Sequence, residues 1–203
     1  MKKPIFISGP HGSGKTTLID KLLSNYGMFV ENSFDIDFIS QFPSIKTLSH
    51  FERCLLRLYH RIYISYYADQ FAQMQNGKVT LVSRGIYDSE AYINVYKEYD
   101  WITGENSNTL DFILRNNTYT PYTIVLNPPV EVIMQRLEKR IETGVRGTRD
   151  KVFKIEDTYE FVKSLHNQFM LFKNRKNILY IEDNTEKEVE AILHWIEEIS
   201  RNN

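Results

Sequence analysis

Gly9-Pro10-His11-Gly12-Ser13-Gly14-Lys15-Thr16 stands between a short apolar run, Ile5-Phe6-Ile7, and a stretch carrying Leu18, Ile19, Leu22 and Leu23 at helical spacing. A strand, a glycine-rich loop and a helix in that order leave the first amides of the helix unpaired, and the positive end of its dipole points the same way. Such a junction suits one kind of guest, an anion held by main-chain nitrogens. The segment satisfies G-x-x-x-x-G-K-[ST] in full, a pattern that a chain of this length shows by chance on the order of once in a hundred. Glycine is needed at Gly9, Gly12 and Gly14 because side chains there would block the approach. Ser13, Lys15, Thr16 and Thr17 complete the cradle, with Lys15 reaching the β- and γ-phosphates of a nucleotide and the Thr16 hydroxyl binding Mg²⁺. A nucleoside triphosphate with Mg²⁺ is therefore the expected guest, and His11 reads as an ordinary loop residue.

Composition narrows the rest. With 203 residues, 42% apolar, the chain is long enough for one compact domain over 1–203. Twenty-five basic and 26 acidic side chains leave a net charge of −1, so nothing in the balance calls for nucleic acid or an anionic membrane. Cys54 is the only cysteine, which excludes an intramolecular disulfide and fits a reducing compartment. The N-terminus has only three apolar residues before Gly9, far short of a signal or membrane segment. The expectation is a cytoplasmic protein without a membrane partner.

Periodicity supplies the remaining elements. Met28-Phe29-Val30 reads as a second strand ending at Glu31. Ser49-His50-Phe51-Glu52 has the form of a capping box and opens a long helix through Phe51, Leu55, Leu58, Ile62 and Tyr66, stopped by Asn76-Gly77. Lys78 to Val82 is a third strand, and Ala91, Tyr92, Val95, Tyr96 and Tyr99 mark a helix. A polar stretch, Gly104 to Asn108, precedes a short helix through Leu110, Phe112 and Ile113. Tyr122 to Leu126 and Asn177 to Ile181 are strands. Helices follow Pro129, run from Ile155 to Phe172, and start at Thr185-x-x-Glu188. Short apolar strands alternating with helices predict an α/β fold, a five-stranded parallel sheet flanked by helices in three layers.

A phosphate loop does not say what the nucleotide is for. Motor ATPases usually carry adjacent Asp-Glu at a strand end, yet the candidate strands here end at Ser83 and Asn127. An Asn-Lys-x-Asp guanine-reading segment is also missing. A small-molecule kinase needs neither; it needs an acceptor pocket and a basic lid over the transferring group.

Ser83-Arg84-Gly85 puts Arg84 at the carboxyl end of a strand, where ligands bind in open α/β sheets. Asn127-Pro128-Pro129-x-Glu131-Val132 leads into Arg136 and Arg140, positions that a solvated helix face would also explain, before Arg146 and Arg149 in the stretch Gly144 to Asp150. With the phosphate loop, these elements in this order resemble the thymidylate kinase and deoxynucleoside kinase superfamily over most of the chain. The resemblance implies the P-loop NTPase fold and roles for single residues. Arg84 corresponds to the arginine that contacts the acceptor, and Arg146 and Arg149 to arginines of a flexible lid at about 142–152. Glu31 corresponds to the glutamate that takes a proton from the 5′-hydroxyl in deoxynucleoside kinases. The family usually has an acid just before the arginine, holding waters of the Mg²⁺ shell, whereas this chain has Ser83; either Glu31, Asp35, Asp37 or Asp88 stands in, Asp88 also suiting a plain N-cap for the next helix, or catalysis is impaired.

The acceptor stays open between a hydroxyl, which benefits from a base such as Glu31, and a monophosphate, which needs cations. Arg53, Arg57 and Arg61 recur every fourth residue on the long helix and form one row, either a phosphate clamp or surface decoration paired with Glu52 or Asp69. Arg53, Arg57 and Arg84 are the candidate substrate-binding residues, and any of Tyr59, Tyr63, Tyr66, Tyr67, Tyr87 and Tyr92 would suit a base. The expectation is an ATP-dependent kinase of a nucleoside monophosphate or (deoxy)nucleoside, thymidylate-kinase-like, acting on small molecules rather than nucleic acid, with a homodimer as an option. Its rivals are a kinase of another metabolite hydroxyl and a regulatory module with slow hydrolysis.

Overall fold

A computed structural model describes residues 3–32, 47–143 and 155–201. Arg146 and Arg149, the lid expected at about 142–152 apart from its first two positions, and Asp35 and Asp37 lie outside the described residues.

Five short strands form the centre: β1 (Ile5–Ser8), β2 (Phe29–Glu31), β3 (Val79–Ser83), β4 (Tyr122–Leu126) and β5 (Ile178–Ile181). Their order is β2-β3-β1-β4-β5, every pair parallel. Around them lie α1 (Lys15–Asn25), α2 (His50–Met74), α3 (Ile86–Glu98), α4 (Gly104–Asn116), α5 (Val130–Glu142), α6 (Tyr159–Met170) and α7 (Glu186–Arg201). The expected α/β architecture is what the chain adopts.

Alternation along β1 assigns the layers. Ile5 and Ile7 pack with Leu18, Ile19 and Leu22 of α1 and with Val189, Ile192 and Ile196 of α7. Phe6 points the other way, onto Ile64 and Ala68 of α2. That second face continues into a larger core built from α2, α3, α4 and α6 around Leu58, Tyr96, Leu110, Phe161 and Phe169. Both faces of the sheet are covered, the arrangement that all-parallel sheets require.

Boundaries differ from the sequence reading in instructive places. The Ser49 hydroxyl accepts from Glu52 N while the Glu52 carboxylate accepts from Ser49 N, so α2 starts as expected; it ends at Met74, with Gly77 at φ 76° two residues past its Gln75 cap. Helix α4 takes in the polar stretch from Gly104, because a surface helix needs only Leu110 fully buried to dock. The segment expected to be helical from Ile155 divides: residues 155–157 make one tight turn, and α6 starts afresh behind Thr158, whose hydroxyl accepts from Phe161 N.

Topology then fixes where the chemistry sits. The chain leaves β1 for β2, returns to β3 on one side of β1, and only later places β4 on the other. The crevice outside the carboxyl end of β1 is the ligand position that this reversal creates.

Candidate active site

The phosphate loop is locked from both sides. Gly9 has φ 148°, and a Cβ there would lie 2.1 Å from the Leu126 carbonyl oxygen, so no other residue lets β1 and β4 run this close. Gly12 and Gly14 also hold positive φ, at 82° and 102°. Helix α1 opens with Lys15 directly behind Gly14, and Thr16 and Thr17 are exposed at its first turn. Lys15 itself is buried; its Nζ donates to Gly9 O at 2.8 Å and Pro10 O at 2.6 Å and lies 3.3 Å from Ser13 Oγ. Burial holds its pKa well below the ordinary lysine value, and the nearby charge of Arg84 adds to the effect. Anionic phosphate oxygens are the partners that would restore such an ammonium.

Arg136 on α5, which reads as a solvated helix position in the sequence, instead donates to Ser13 O at 2.5 Å and lies 3.3 Å from Asp183. It clasps the outside of the loop. His11 is not an ordinary loop residue either: it is buried, with Nδ1 2.7 Å from the Tyr92 hydroxyl and Nε2 3.3 Å from Asp157 Oδ1.

Beside the loop, Arg84 follows β3 with its amide bonded to Ile7 O at 2.9 Å and its backbone at φ 64°. Left-handed conformations cost a residue with a Cβ roughly 1–2 kcal/mol and cluster where geometry serves a site. Its guanidinium lies 3.2 Å from Asp88 Oδ1, while Asp88 Oδ2 accepts from Gly85 N at 2.9 Å and so caps α3. Burial opposes the charge on Arg84, but Tyr92 and Asp88 more than compensate and hold its pKa above the ordinary arginine value. Asp88 is thus both the cap the sequence suggests and the carboxylate beside Arg84.

Arg57, Arg61, Arg84, Asp88, Ser89, Tyr92 and Glu156 line a cavity of about 140 Å³. The arginine row on α2 faces inward here rather than decorating the surface: Asp69 accepts from Tyr119, and Glu52 is spent on the cap. Arg57 donates to the Tyr96 hydroxyl at 3.3 Å, and that hydroxyl donates to the buried Glu156. Desolvation and the Glu156 charge both push the Tyr96 phenol far above its usual range. Arg53, buried one turn earlier, is absent from the cavity lining. Glu31 is exposed as the last residue of β2, at the sheet's carboxyl edge and also outside this lining. Of the tyrosines with a suitable ring, Tyr92 lines the cavity, Tyr87 packs on Phe172, and Tyr59, Tyr63 and Tyr66 are exposed.

A glycine-locked phosphate loop after β1, a basic cavity at the neighbouring strand end and the β2-β3-β1-β4-β5 order define a P-loop kinase. A family model described as deoxynucleoside kinase matches residues 5–199. Deoxyadenosine kinase from M. mycoides shares the fold with a TM-score of 0.69 at 14% identity, over 96% of this chain and 99% of that one. Thymidylate kinase from Candida albicans does so with a TM-score of 0.64 at 18% identity, over 98% and 92%. Comparison with curated protein sequences gives no match. The chain belongs to the deoxynucleoside kinase family and is a nucleoside or nucleotide kinase with ATP as phosphate donor. Among the described residues, no helix is long and apolar enough to cross a membrane.

Proposed function

We propose that the protein transfers the γ-phosphoryl group of ATP to the 5′-hydroxyl of a deoxynucleoside. The observation that carries this reading is the charge balance of the cavity. Three arginines meet two buried carboxylates, Asp88 against Arg84, and Glu156 reached through Tyr96 from Arg57. A dianionic monophosphate wants cations that are not already engaged, whereas a neutral sugar is well served by alternating donors and acceptors.

In this reading Gly9, Gly12, Ser13, Gly14, Lys15, Thr16 and Thr17 hold the triphosphate. Among the described residues no group of three or more His, Cys, Asp or Glu is placed to hold a metal. That suits Mg²⁺, which keeps its waters and takes phosphates plus one or two protein oxygens; the exposed Thr16 hydroxyl and Asp88, in place of the acid missing at Ser83, are the oxygens proposed. Bound there, Mg²⁺ neutralises charge on the phosphate oxygens. Arg84 orients the acceptor, with Arg57 beside it and Arg53 behind. Glu31 takes the hydroxyl proton as the new O–P bond forms and the bond to ADP breaks. Arg146 and Arg149, on a lid at about 142–152, stabilise the charge in transit.

The whole of 1–203 is proposed as one kinase domain, working in the cytoplasm and as a homodimer. Between Tyr59 and Met74 the exposed side chains of α2 are Tyr59, Tyr63, Tyr66, Gln70, Gln73 and Met74, none charged, a composition that suits a contact with a second copy.

Measuring ADP release with ATP, Mg²⁺ and each deoxynucleoside or 5′-monophosphate tests the reading. Stimulation by a deoxynucleoside is the expected outcome; turnover indifferent to every acceptor would overturn it. Stimulation by a monophosphate alone would favour the second reading, which the convergence of Arg57, Arg61 and Arg84 on one cavity supports.

A further inference from the structure

Polar groups, His11 buried and the others half-buried, join the phosphate loop to the acceptor cavity, and they do so through a residue that neither the motif nor the fold requires. His11 occupies a variable position of the loop, yet it is 4% exposed and lies against Phe161 of α6 as well as Tyr92 of α3. The contacts run in sequence. Tyr92 is among the groups that hold the charge on Arg84, the Tyr92 hydroxyl lies 2.7 Å from His11 Nδ1, and His11 Nε2 lies 3.3 Å from Asp157 Oδ1. The Asp157 carboxylate beside Nε2 favours neutral imidazole with its hydrogen there, which leaves Nδ1 to accept from the Tyr92 hydroxyl, a tautomer assigned from its neighbours. Asp157 sits in the turn 155–157, next to Glu156 in the cavity wall, and Tyr92 and Arg84 line the same cavity. The chain Arg84–Tyr92–His11–Asp157 therefore begins and ends beside the acceptor and passes through the triphosphate cradle.

We propose that His11 is a positioning residue that couples the grip on ATP to the shape of the acceptor cavity, so that each ligand tightens the binding of the other. The inference rests on the kinase reading above. Any movement of the loop as its amides take up phosphates shifts His11, and His11 transmits the shift to Tyr92 and to the turn carrying Glu156. By linkage the effect is reciprocal: the acceptor, in setting Tyr92 and Glu156, favours the triphosphate-holding form of the loop.

The test measures acceptor affinity with and without adenylyl imidodiphosphate and Mg²⁺, using the deoxynucleoside or monophosphate that the wild type phosphorylates fastest. Wild type is expected to bind that acceptor at least about fivefold more tightly with the analogue present. His11→Asn presents an amide near the Nδ1 position but falls short of Asp157, and Tyr92→Phe deletes the hydroxyl between Arg84 and His11. Both are expected to bring the ratio close to one, while the affinity for the analogue alone changes by less than about threefold. His11→Gln, which reaches toward Asp157 and abandons Tyr92, is expected to behave as His11→Asn does. A merely structural histidine would lower the melting temperature and leave the ratio intact. An unchanged ratio in His11→Asn, a wild-type ratio of one, or loss of analogue binding in His11→Asn would each overturn the proposal. If the wild type phosphorylates no acceptor, the kinase reading fails and takes the coupling with it; if it does so and the ratio survives, the coupling alone fails.

Discussion

Arg84 and Asp88 meet one turn apart at the junction of β3 and α3, 3.2 Å between Nη1 and Oδ1, with Arg84 held at φ 64° by the bond of its amide to Ile7. The same carboxylate caps the helix through Gly85 N, so the strained residue is pinned by the strand behind it and by the helix in front. Strain at a residue so placed serves the aim of its guanidinium into the cavity.

That strain can be weighed by comparing Arg84→Ala with Arg84→Gly. Both remove the guanidinium and leave Asp88 with the same lost partner, but only glycine accepts φ 64° without a Cβ penalty. Arg84→Gly is expected to be more stable than Arg84→Ala by about 1 kcal/mol in urea unfolding, and both to lose about 10³-fold in turnover. Equal stability of the two would show the backbone there to be relaxed.

Lys15 gives a pH signature. Its pKa is lowered in the folded protein by burial and by Arg84, from an unfolded value near 10.5. Between the folded and unfolded values the unfolded chain holds one more proton, so stability rises with pH through that window. Measured against Lys15→Met, which cannot titrate, the wild type should gain stability in urea unfolding as pH climbs toward 10.5. A flat difference would mean that the ammonium is not penalised where it lies. Lys15→Met should retain its fold at neutral pH and lose turnover.

Local rules explain what the sequence makes legible. The phosphate loop is readable because Gly9, Gly12 and Gly14 answer to backbone angles and close approaches set within a few residues. Arg84 is readable as a strand-end residue, and the arginine row of α2 as a four-residue period. What stays hidden depends on partners distant in sequence: His11 meets Tyr92 81 positions away, and Tyr96 meets Glu156 across 60. No periodicity encodes those pairings, so Glu156 carries no signal at all and the inward face of Arg57 shows only once α3 supplies Tyr96. Arg136 misleads for the same reason, since its partner Ser13 comes from the other end of the chain.

The outward face of α2 leads to a prediction about assembly. Replacing Tyr59 and Tyr63, 68% and 53% exposed, by glutamate costs little where the side chains face water. At a contact between two copies it would bury like charges. Light scattering should show the wild type as a dimer and Tyr59→Glu/Tyr63→Glu as a monomer with an unchanged melting temperature at low concentration. A monomeric wild type would remove the second copy from the functional picture.

Cys54 is 2% exposed, and burial pushes its thiol up to about 12. The thiolate is the reactive form, so the native protein should resist Ellman's reagent at pH 8 and react with one equivalent only after unfolding. Rapid labelling of the folded chain would show that α2 opens from the core on the time scale of the assay.

Gly9 and Gly77 both hold positive φ, at 148° and 76°, yet they sit in opposite surroundings, which makes them a matched pair. At Gly77 an added Cβ meets nothing within 4 Å, so Gly77→Ala carries only the conformational cost, about 1 kcal/mol. At Gly9 the same atom would lie 2.1 Å from the Leu126 carbonyl oxygen and 3.1 Å from Ser13 Oγ. Neither neighbour can yield easily: Leu126 belongs to β4, whose register against β1 runs through Ser8 and Val125, and Ser13 O is held by Arg136. Relief would need the two central strands to part at the edge where the loop begins. Gly9→Ala should therefore cost about 3 kcal/mol or more and abolish nucleotide binding, while Gly77→Ala keeps both fold and turnover. Comparable losses in the two variants, by urea unfolding, would show that backbone angle alone, and not the approach of β4, dictates glycine at the start of the loop.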